Sequence, residues 1–145
     1  MSLSEPPRSR TCLRRPRILL VDDDPGVIRG LWRLLRQLRP DFAVNTASCA
    51  AQAIAALSMH SYDVVLTDLQ MPGGSGHSVL RVLKESYPET ARIVQSSQLE
   101  SGDTSELGQL AHVVLAKPAT VSALLAAIKL ATERAASEGR PSWCG

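Results

Sequence analysis

The sequence predicts an α/β protein in which five parallel strands form one sheet with helices on both faces, a doubly wound (βα)5 arrangement. Short apolar runs alternate five times with stretches in which apolar residues recur at helical spacing. The apolar runs are continuous, which is typical of parallel strands buried on both faces. A chain of 145 residues has the size of one domain with its own core.

The first strand–helix unit covers residues 17 to 38. Arg17–Asp22 is an apolar run that ends in acid and predicts a buried strand. Asp24 is a suitable N-cap, with Pro25 in the first helical position, and Pro40 stops the helix that follows. The apolar residues of this helix are Val27, Ile28, Leu31, Leu34, Leu35 and Leu38. Arginines on its opposite face predict a solvated surface.

The next two units follow the same pattern. Phe42–Thr46 predicts the second strand, and an alanine-rich stretch from Cys49 to Met59 predicts the second helix. Val64–Leu66 then forms the core of a third strand, which delivers a carboxylate, Asp68, to its carboxyl end. A Met-Pro turn and several glycines follow, and a third helix is predicted from about Ser75 to Ser86.

The last two units are unequal. Ala91–Ser96 and His112–Lys117 predict strands four and five. Between them, Leu99–Gly108 contains two glycines and only two leucines, so a fourth helix there would be short and poorly favoured. Thr120 caps a final helix that extends to about residue 138.

The two ends of the chain are predicted to lie outside the domain, which covers residues 17–138. Arginine and proline concentrate in residues 1–16, which predicts a disordered basic leader, and residues 139–145 read as a tail. A basic arm for nucleic acid or membrane is an alternative for the leader. It is not favoured, because the arginines have no aromatic residues among them and the net charge is only +2.

Composition also limits the location and the chemistry. The sequence lacks an apolar stretch long enough for a signal peptide or a membrane span, so we expect a cytoplasmic protein. Three cysteines, Cys12, Cys49 and Cys144, have no metal-ligand spacing and predict neither a disulfide framework nor a zinc site. Histidines 60, 77 and 112 are scattered, and we expect surface or capping roles for them.

Polar residues follow four of the predicted strands at their carboxyl ends, where open α/β sheets bind ligands. They are Asp22 and Asp23, Asp68, Ser96 and Lys117. Carboxylates at close range stay ionised only if a cation offsets their repulsion, and Mg²⁺ is the natural partner for oxygen ligands. The lysine and the hydroxyl could stabilise phosphoryl oxygens, with Asp68 as the nucleophile that forms an acyl phosphate.

The chain resembles the receiver domains of response regulators in two-component signalling. The family's acidic pair after the first strand falls on Asp22 and Asp23. Its D-x-x-M-P-x-x-x-G phosphoacceptor motif falls on residues 68–76. Its switch Ser/Thr falls on Ser96, and its Lys-Pro pair begins at Lys117. A narrower similarity, in Arg92–Gln98 together with Ala111–Pro118, is to receivers attached to HD-type phosphohydrolase-like output domains.

The resemblance covers about residues 17–135 and implies a flavodoxin-like receiver fold. It implies Mg²⁺-dependent transfer of a phosphoryl group to Asp68 from a sensor histidine kinase or a phosphotransfer protein. The implied metal ligands are Asp23, Asp68 and the backbone carbonyl of Gln70, with Asp22 acting largely through water. The implied role is a signalling switch, with self-catalysed phosphotransfer and autodephosphorylation only. The switch would act on a downstream output domain or protein, without direct contact to nucleic acid or membrane, and could form a phosphorylation-dependent homodimer.

Three departures from the family pattern affect how a signal would leave the domain. Ser97 stands where glycine or alanine is usual, and Val114 stands where many members carry an aromatic switch residue. The segment for the fourth helix is rich in glycine. We therefore expect phosphorylation to order or reposition Ser101–Gly108, without a side-chain rotation at position 114.

The sequence leaves two other interpretations open. Asp22-x-Asp24 superficially fits the nucleophile motif of haloacid-dehalogenase-type phosphatases. That family also needs a late acidic pair, and after Lys117 this chain offers only glutamates on a predicted helix. The second alternative is a pseudo-receiver, which would keep the fold as an interaction module without phosphorylation.

Overall fold

The computed structural model describes residues 15–71, 76–97, 104–117 and 119–139. Its strands are β1 (Arg17–Val21), β2 (Ala43–Ala47), β3 (Val64–Asp68), β4 (Ala91–Ser96) and β5 (Val113–Ala116). Its helices are α1 (Pro25–Leu38), α2 (Ala50–Met59), α3 (Gly76–Ser86), α4 (Thr104–Leu110) and α5 (Val121–Gly139). The predicted alternation is confirmed. The structure assigns Gly139, predicted to begin the tail, to the end of α5.

Across these described residues, the five strands form a single parallel sheet in the order β2-β1-β3-β4-β5. This is the flavodoxin-like order, in which successive connections run in opposite directions on the two sides of β1. Ligands of such sheets bind beyond the carboxyl ends of the strands at this reversal. The fold therefore places its ligand-binding edge beyond the ends of β1 and β3.

The sheet is covered on both faces. Alternate residues of β1, Ile18 and Leu20, face a core that includes Leu35 of α1 and Ile128 of α5. Leu19 and Val21 face the other side, against α2 and α3. A smaller apolar cluster beneath α4 centres on Leu107. Since both faces are buried, the strands are apolar at nearly every position, which is the feature that revealed them in the sequence.

The helix boundaries follow the predicted caps. The Asp24 carboxylate accepts a hydrogen bond from the Gly26 amide at 2.9 Å, and Pro25 occupies the first turn. The Thr120 hydroxyl accepts from the Ala123 amide at 3.1 Å at the start of α5. Helix α4 has seven residues. The expected shortness of the fourth helix is thus confirmed, whereas residues 98–103 lie outside the described residues.

Two residues assigned to the leader belong to the domain. The guanidinium of Arg15 donates to the backbone carbonyls of Pro40, Asp41 and Phe42, with the shortest distance, 2.8 Å, to Phe42. The carbonyl of Pro16 accepts from the amide of Ala43 at 2.7 Å. Contacts with the domain are therefore made before β1 begins, while the remainder of the predicted leader, residues 1–14, lies outside the described residues.

His112 does not have the surface or capping role expected from the sequence. It is buried, and its Nδ1 accepts a hydrogen bond from the backbone amide of Arg92 at 2.9 Å. Arg92 is itself only 2% exposed, and its Nε donates to the carbonyl of Leu110 at 2.6 Å. These contacts tie β4 to the start of β5, since Nε of Arg92 and Nδ1 of His112 both bond to backbone groups.

Candidate functional site

The acidic end of β1 is held in place by its own backbone. Asp22 is buried, and its amide donates to the carbonyl of Ala47 at 3.1 Å, which continues the pairing with β2. Its Oδ1 accepts from the amide of Asp24 at 3.0 Å. Asp23 is exposed between them. The strand thus ends with one fixed carboxylate and one carboxylate open to solvent.

Asp68 is the last residue of β3 and only 6% exposed. The chain after it returns closely, because the amide of Gly76 donates to the carbonyl of Leu69 at 2.8 Å. A Cβ atom on Gly76 would lie 2.5 Å from the backbone oxygen of Asp68, which no real side chain tolerates. The last glycine of the motif is therefore required for this close approach, while residues 72–75 are outside the described part of the chain.

Strands β4 and β5 add a hydroxyl and an ammonium group. Ser96 is fully buried at the end of β4, and its carbonyl accepts from the amide of Lys117 at 3.0 Å. The Lys117 Nζ lies 3.0 Å from Oδ2 of Asp22 and 3.2 Å from Oδ1 of Asp68. The ammonium of Lys117, which follows β5, therefore bridges the carboxylates of Asp22 and Asp68.

The carboxylates form one cluster. Each of Asp22, Asp23 and Asp68 offers an oxygen that lies within 4.8 Å of the other two. Three carboxylates carry more negative charge than the single ammonium of Lys117 offsets. The three carboxylates and Lys117, all predicted from strand ends, are thus brought together at one edge of the sheet. Gln70 follows β3 and is exposed.

The charge imbalance appears in the acid–base properties. Burial raises the pKa of Asp68, and the negative charge of Asp22 raises it further; Lys117 and the backbone amide of Gln70 offset these effects in part. Burial alone would lower the pKa of Lys117. The hydrogen bonds and charges of Asp22 and Asp68 outweigh burial, so its pKa lies above the ordinary value. The lysine stays charged at neutral pH, while ionised Asp68 lacks full compensation.

The site fits a hard divalent cation. Its donors are carboxylate oxygens, two of the three carboxylates are buried, and their oxygens converge within 4.8 Å. Mg²⁺ prefers one or two such oxygens together with water and phosphoryl oxygens. A cation bound there would supply the positive charge that the described residues lack.

Sequence reasoning missed one residue at this site. Thr67 is fully buried beside Asp68, and its hydroxyl donates to the backbone oxygen of Asp68 at 3.1 Å. That oxygen is the atom that Gly76 approaches. The sequence does contain a signal for Thr67, because it places a hydroxyl in an otherwise apolar strand, directly before Asp68. Thr67 and Gly76 together fix the backbone that presents the carboxylate.

Two of the departures from the family pattern lie directly after β4 and within β5. Ser97 is exposed. Val114 is half-buried and packs against the apolar cluster beneath α4, which includes Leu80 and Leu107. Position 114 therefore contributes to the support of α4.

Known proteins resemble this chain over nearly the whole fold. The response regulator receiver domain family matches residues 18–129. The hydrogenase transcriptional regulatory protein HoxA of Cupriavidus necator is 32% identical over 126 residues, which are 84% of this chain and 25% of that protein. The chain thus spans about a quarter of the length of this relative.

Two solved structures share the fold. The signal receiver domain of an HD domain-containing protein from Pseudomonas fluorescens Pf-5 has a TM-score of 0.78 and 29% identity, covering 86% of this chain and 100% of that one. The response regulator TrrA from Thermotoga maritima, in complex with Mg²⁺–BeF, has a TM-score of 0.71 and 26% identity, covering 80% and 98%.

Proposed function

The chain belongs to the receiver domain family of response regulators, and from this premise we propose that it is a phosphorylation-switched receiver whose phosphoacceptor is Asp68. The observation that supports this most directly is the contact of Lys117 Nζ with both Asp22 and Asp68, at 3.0 and 3.2 Å, beside a third carboxylate. Such a cluster suits the charge stabilisation that phosphoryl transfer requires.

In the proposed step, a carboxylate oxygen of Asp68 attacks the phosphorus of a phosphohistidine on a sensor histidine kinase or phosphotransfer protein. The new O–P bond forms as the N–P bond breaks, and the donor imidazole leaves with its electron pair and takes up a proton. Asp68 ends β3, and the Thr67 hydroxyl fixes its backbone carbonyl. The nucleophile is therefore positioned before the phosphoryl donor arrives.

Lys117 and Ser96 have separate proposed roles. The Lys117 ammonium contacts Asp68 in the unphosphorylated state, and after transfer it is placed to pair with an oxygen of the phosphoryl group. Ser96 lies at the end of the adjacent strand, fully buried, and its hydroxyl would donate to another such oxygen. Donors that are already fixed in a protected site stabilise developing charge without reorganisation.

Mg²⁺ is the proposed cofactor, held directly by Asp23, Asp68 and the backbone carbonyl of Gln70, with Asp22 acting largely through water. When bound, it neutralises charge on the carboxylates and on the phosphoryl oxygens. Receiver domains bind Mg²⁺ at their acidic pocket, and TrrA, a structural relative, was solved with Mg²⁺–BeF. In this chain the buried pair of Asp22 and Asp68 would provide the rigid side of the site, and exposed Asp23 the accessible side.

The signal is proposed to leave through protein–protein contact, either with an output domain or with a separate protein, and phosphorylation could promote a homodimer. We place the protein in the cytoplasm, without direct binding to nucleic acid or membrane. Among the described residues, no helix is long and apolar enough to cross a membrane. The match covers 25% of HoxA, which leaves room for an output domain in that relative.

Labelling of single-residue variants tests the phosphoacceptor. Asp68→Asn should abolish labelling by acetyl phosphate in the presence of Mg²⁺, because an amide does not form the acyl phosphate. Asp41→Asn is the matched control, since Asp41 is an exposed aspartate paired with Arg39, away from the acidic cluster, and its labelling should equal that of the wild type. Full labelling of Asp68→Asn would refute the assignment.

A second measurement distinguishes the alternatives. Beryllofluoride with Mg²⁺ should shift amide NMR signals over much of the domain if the chain is a receiver. A pseudo-receiver would give no response. A phosphatase of the haloacid-dehalogenase type would in addition hydrolyse phosphate esters, which the family match and the sheet order argue against.

A further inference from the structure

The C-terminal end of α4 is bonded to two cationic side chains that belong to other elements. Nζ of Lys84, an exposed residue of α3, donates to the backbone carbonyl of Gln109 at 2.7 Å. Nε of Arg92, which is buried on β4, donates to the backbone carbonyl of Leu110 at 2.6 Å. The phosphorylation chemistry proposed above uses neither of these cations.

These bonds matter because α4 is short. The last four carbonyls of an α-helix have no partner within the helix. In α4 the carbonyls of Gln109 and Leu110 bond to the two cations, and that of Leu107 accepts from the amide of Ala111 at 2.7 Å. The helix dipole also favours positive charge at this end. The side chain of Leu107 is buried in the apolar cluster beneath α4. The last turn of α4 is therefore held by α3, by β4 and by its own apolar packing.

We propose that Lys84 and Arg92 form an anchor that keeps the last turn of α4 in place, and that a phosphoryl group on Asp68 orders α4 from this turn towards Thr104. The anchor is a property of the unphosphorylated protein. The direction of ordering rests on the proposed function, because it requires a phosphoryl group at Asp68.

The first argument concerns how a helix forms. Its first turn is costly, because several backbone angles must be fixed for a single hydrogen bond, whereas each later residue adds a bond of its own. A helix of seven residues is too short to form by itself. A turn that neighbouring elements already hold removes the initial cost. Since this turn comprises residues 107–110, α4 should extend from it towards its amino end.

The second argument is that β4 connects the anchored turn to the phosphoacceptor site. Side chains at alternate positions of a strand share a face, so Arg92, Val94 and Ser96 lie on one face of β4. Val94 packs in the same apolar cluster as Leu107. This face therefore carries, in order, the guanidinium that bonds to α4, an apolar contact beneath α4 and the hydroxyl proposed to bind the phosphoryl group.

Chemical shifts of the Cα atoms test the anchor in the free protein, because they report the helical population at each residue. Residues 107–110 should be more helical than residues 104–106. Lys84→Met should lower the ratio of helical to non-helical population in α4 about two- to tenfold, since a net hydrogen bond contributes a factor of that size. Arg92→Met should lower this ratio further, because the bond that it removes is less exposed to water.

Each variant has a matched control. Lys129→Met removes another exposed lysine, on α5, and should leave the helical population of α4 unchanged. Arg134→Met removes an arginine that also donates to a backbone carbonyl, that of His112, which lies beyond the end of α4. It should affect α4 much less than Arg92→Met does. Wild-type helical shifts of α4 in Lys84→Met would overturn the anchor, whatever the buried arginine does.

Beryllofluoride with Mg²⁺ tests the direction of ordering. Amide signals at the ends of β1 and β3 report that the site is filled, and residues 104–110 should then become more helical in the wild type. In Lys84→Met the site should fill equally, but the gain in helix should be smaller along the whole of α4. A loss confined to Gln109 and Leu110 would identify the cations as local caps and overturn the proposed ordering. Signals of β1 and β3 that ignore beryllofluoride would instead refute the proposed function and with it the ordering, while the free protein decides the anchor by itself.

Discussion

At the scale of single residues, presentation of the Asp68 carboxylate depends on a position without a side chain. Gly76 begins α3 directly against the backbone of Asp68, and Thr67 donates a hydrogen bond to the same carbonyl oxygen. The acid is therefore held through its main chain, and its side chain remains available to Lys117. Changes that move this backbone should affect the site without altering any charged group.

Gly76→Ala tests this arrangement. The added Cβ would lie 2.5 Å from a backbone oxygen, so the backbone must shift, which costs about 1–3 kcal/mol of stability. Labelling by acetyl phosphate should fall with it. Gly30→Ala is the control, because nothing lies within 4 Å of a Cβ there and the residue is exposed on α1. It should stabilise the protein by about 0.5–1 kcal/mol. Equal urea midpoints for the two variants would contradict this account.

The raised pKa of Asp68 predicts how stability depends on pH when metal is removed. Because burial and the charge of Asp22 disfavour its ionised form, Asp68 destabilises the fold once it is ionised, at neutral pH. Asp68→Asn should therefore be more stable than the wild type in EDTA at neutral pH. The difference should shrink as the pH falls through the folded pKa towards 3.8, the ordinary value. Urea denaturation at several pH values measures it, and a gap that widens on acidification would count against the prediction.

At the scale of elements, α4 differs from the other helices. It has seven residues, contains Gly108 and packs through Leu107 and Leu110. A helix this short gains little from propagation and relies on its tertiary contacts. Val114 supports it from β5, in place of a ring that could rotate. If the protein is phosphorylated as proposed, these features predict that α4 is the element whose order changes at the smallest cost in free energy.

Hydrogen exchange measures this change. Amides of residues 97–111 should exchange quickly in the free protein and slowly with beryllofluoride and Mg²⁺, while those of β1 stay protected throughout. Gly108→Ala, at a position where nothing lies within 4 Å of a Cβ, should add about 1 kcal/mol of helix stability and raise protection before activation. Protection that is already high in the wild type, or unchanged by beryllofluoride, would refute the proposed ordering.

The strands also show how much of this structure can be predicted from the sequence. The ends of β1, β3, β4 and β5 were found because apolar runs buried on both faces stop abruptly at polar residues such as Asp68 and Lys117. Arg92 and His112 were not found as buried residues. Their burial depends on hydrogen bonds to backbone atoms far away in sequence, the carbonyl of Leu110 and the amide of Arg92. Local pattern and residue type contain no signal for such partners.

At the scale of the whole molecule, the proposed metal site in the acidic cluster predicts a link between metal binding and folding. A ligand that binds only the folded state at a hundredfold over its dissociation constant stabilises it by about 2.7 kcal/mol. Millimolar Mg²⁺ should therefore raise the melting temperature of the wild type. Asp23→Asn removes one exposed carboxylate from the cluster, so it should be more stable than the wild type in EDTA and gain less from Mg²⁺. A melting temperature that ignores Mg²⁺ would show that the cluster is not a metal site.

The sheet order also has a consequence for synthesis on the ribosome. β1 is made first but lies inside the sheet, where Ile18 pairs with both Val44 and Val64. Until β3 leaves the ribosome, one edge of this apolar strand stays open and can pair with other chains. The ammonium that bridges Asp22 and Asp68 belongs to the residue after β5. A nascent chain therefore carries the carboxylates of β1 and β3 without this internal cation until the residue after β5 has been made.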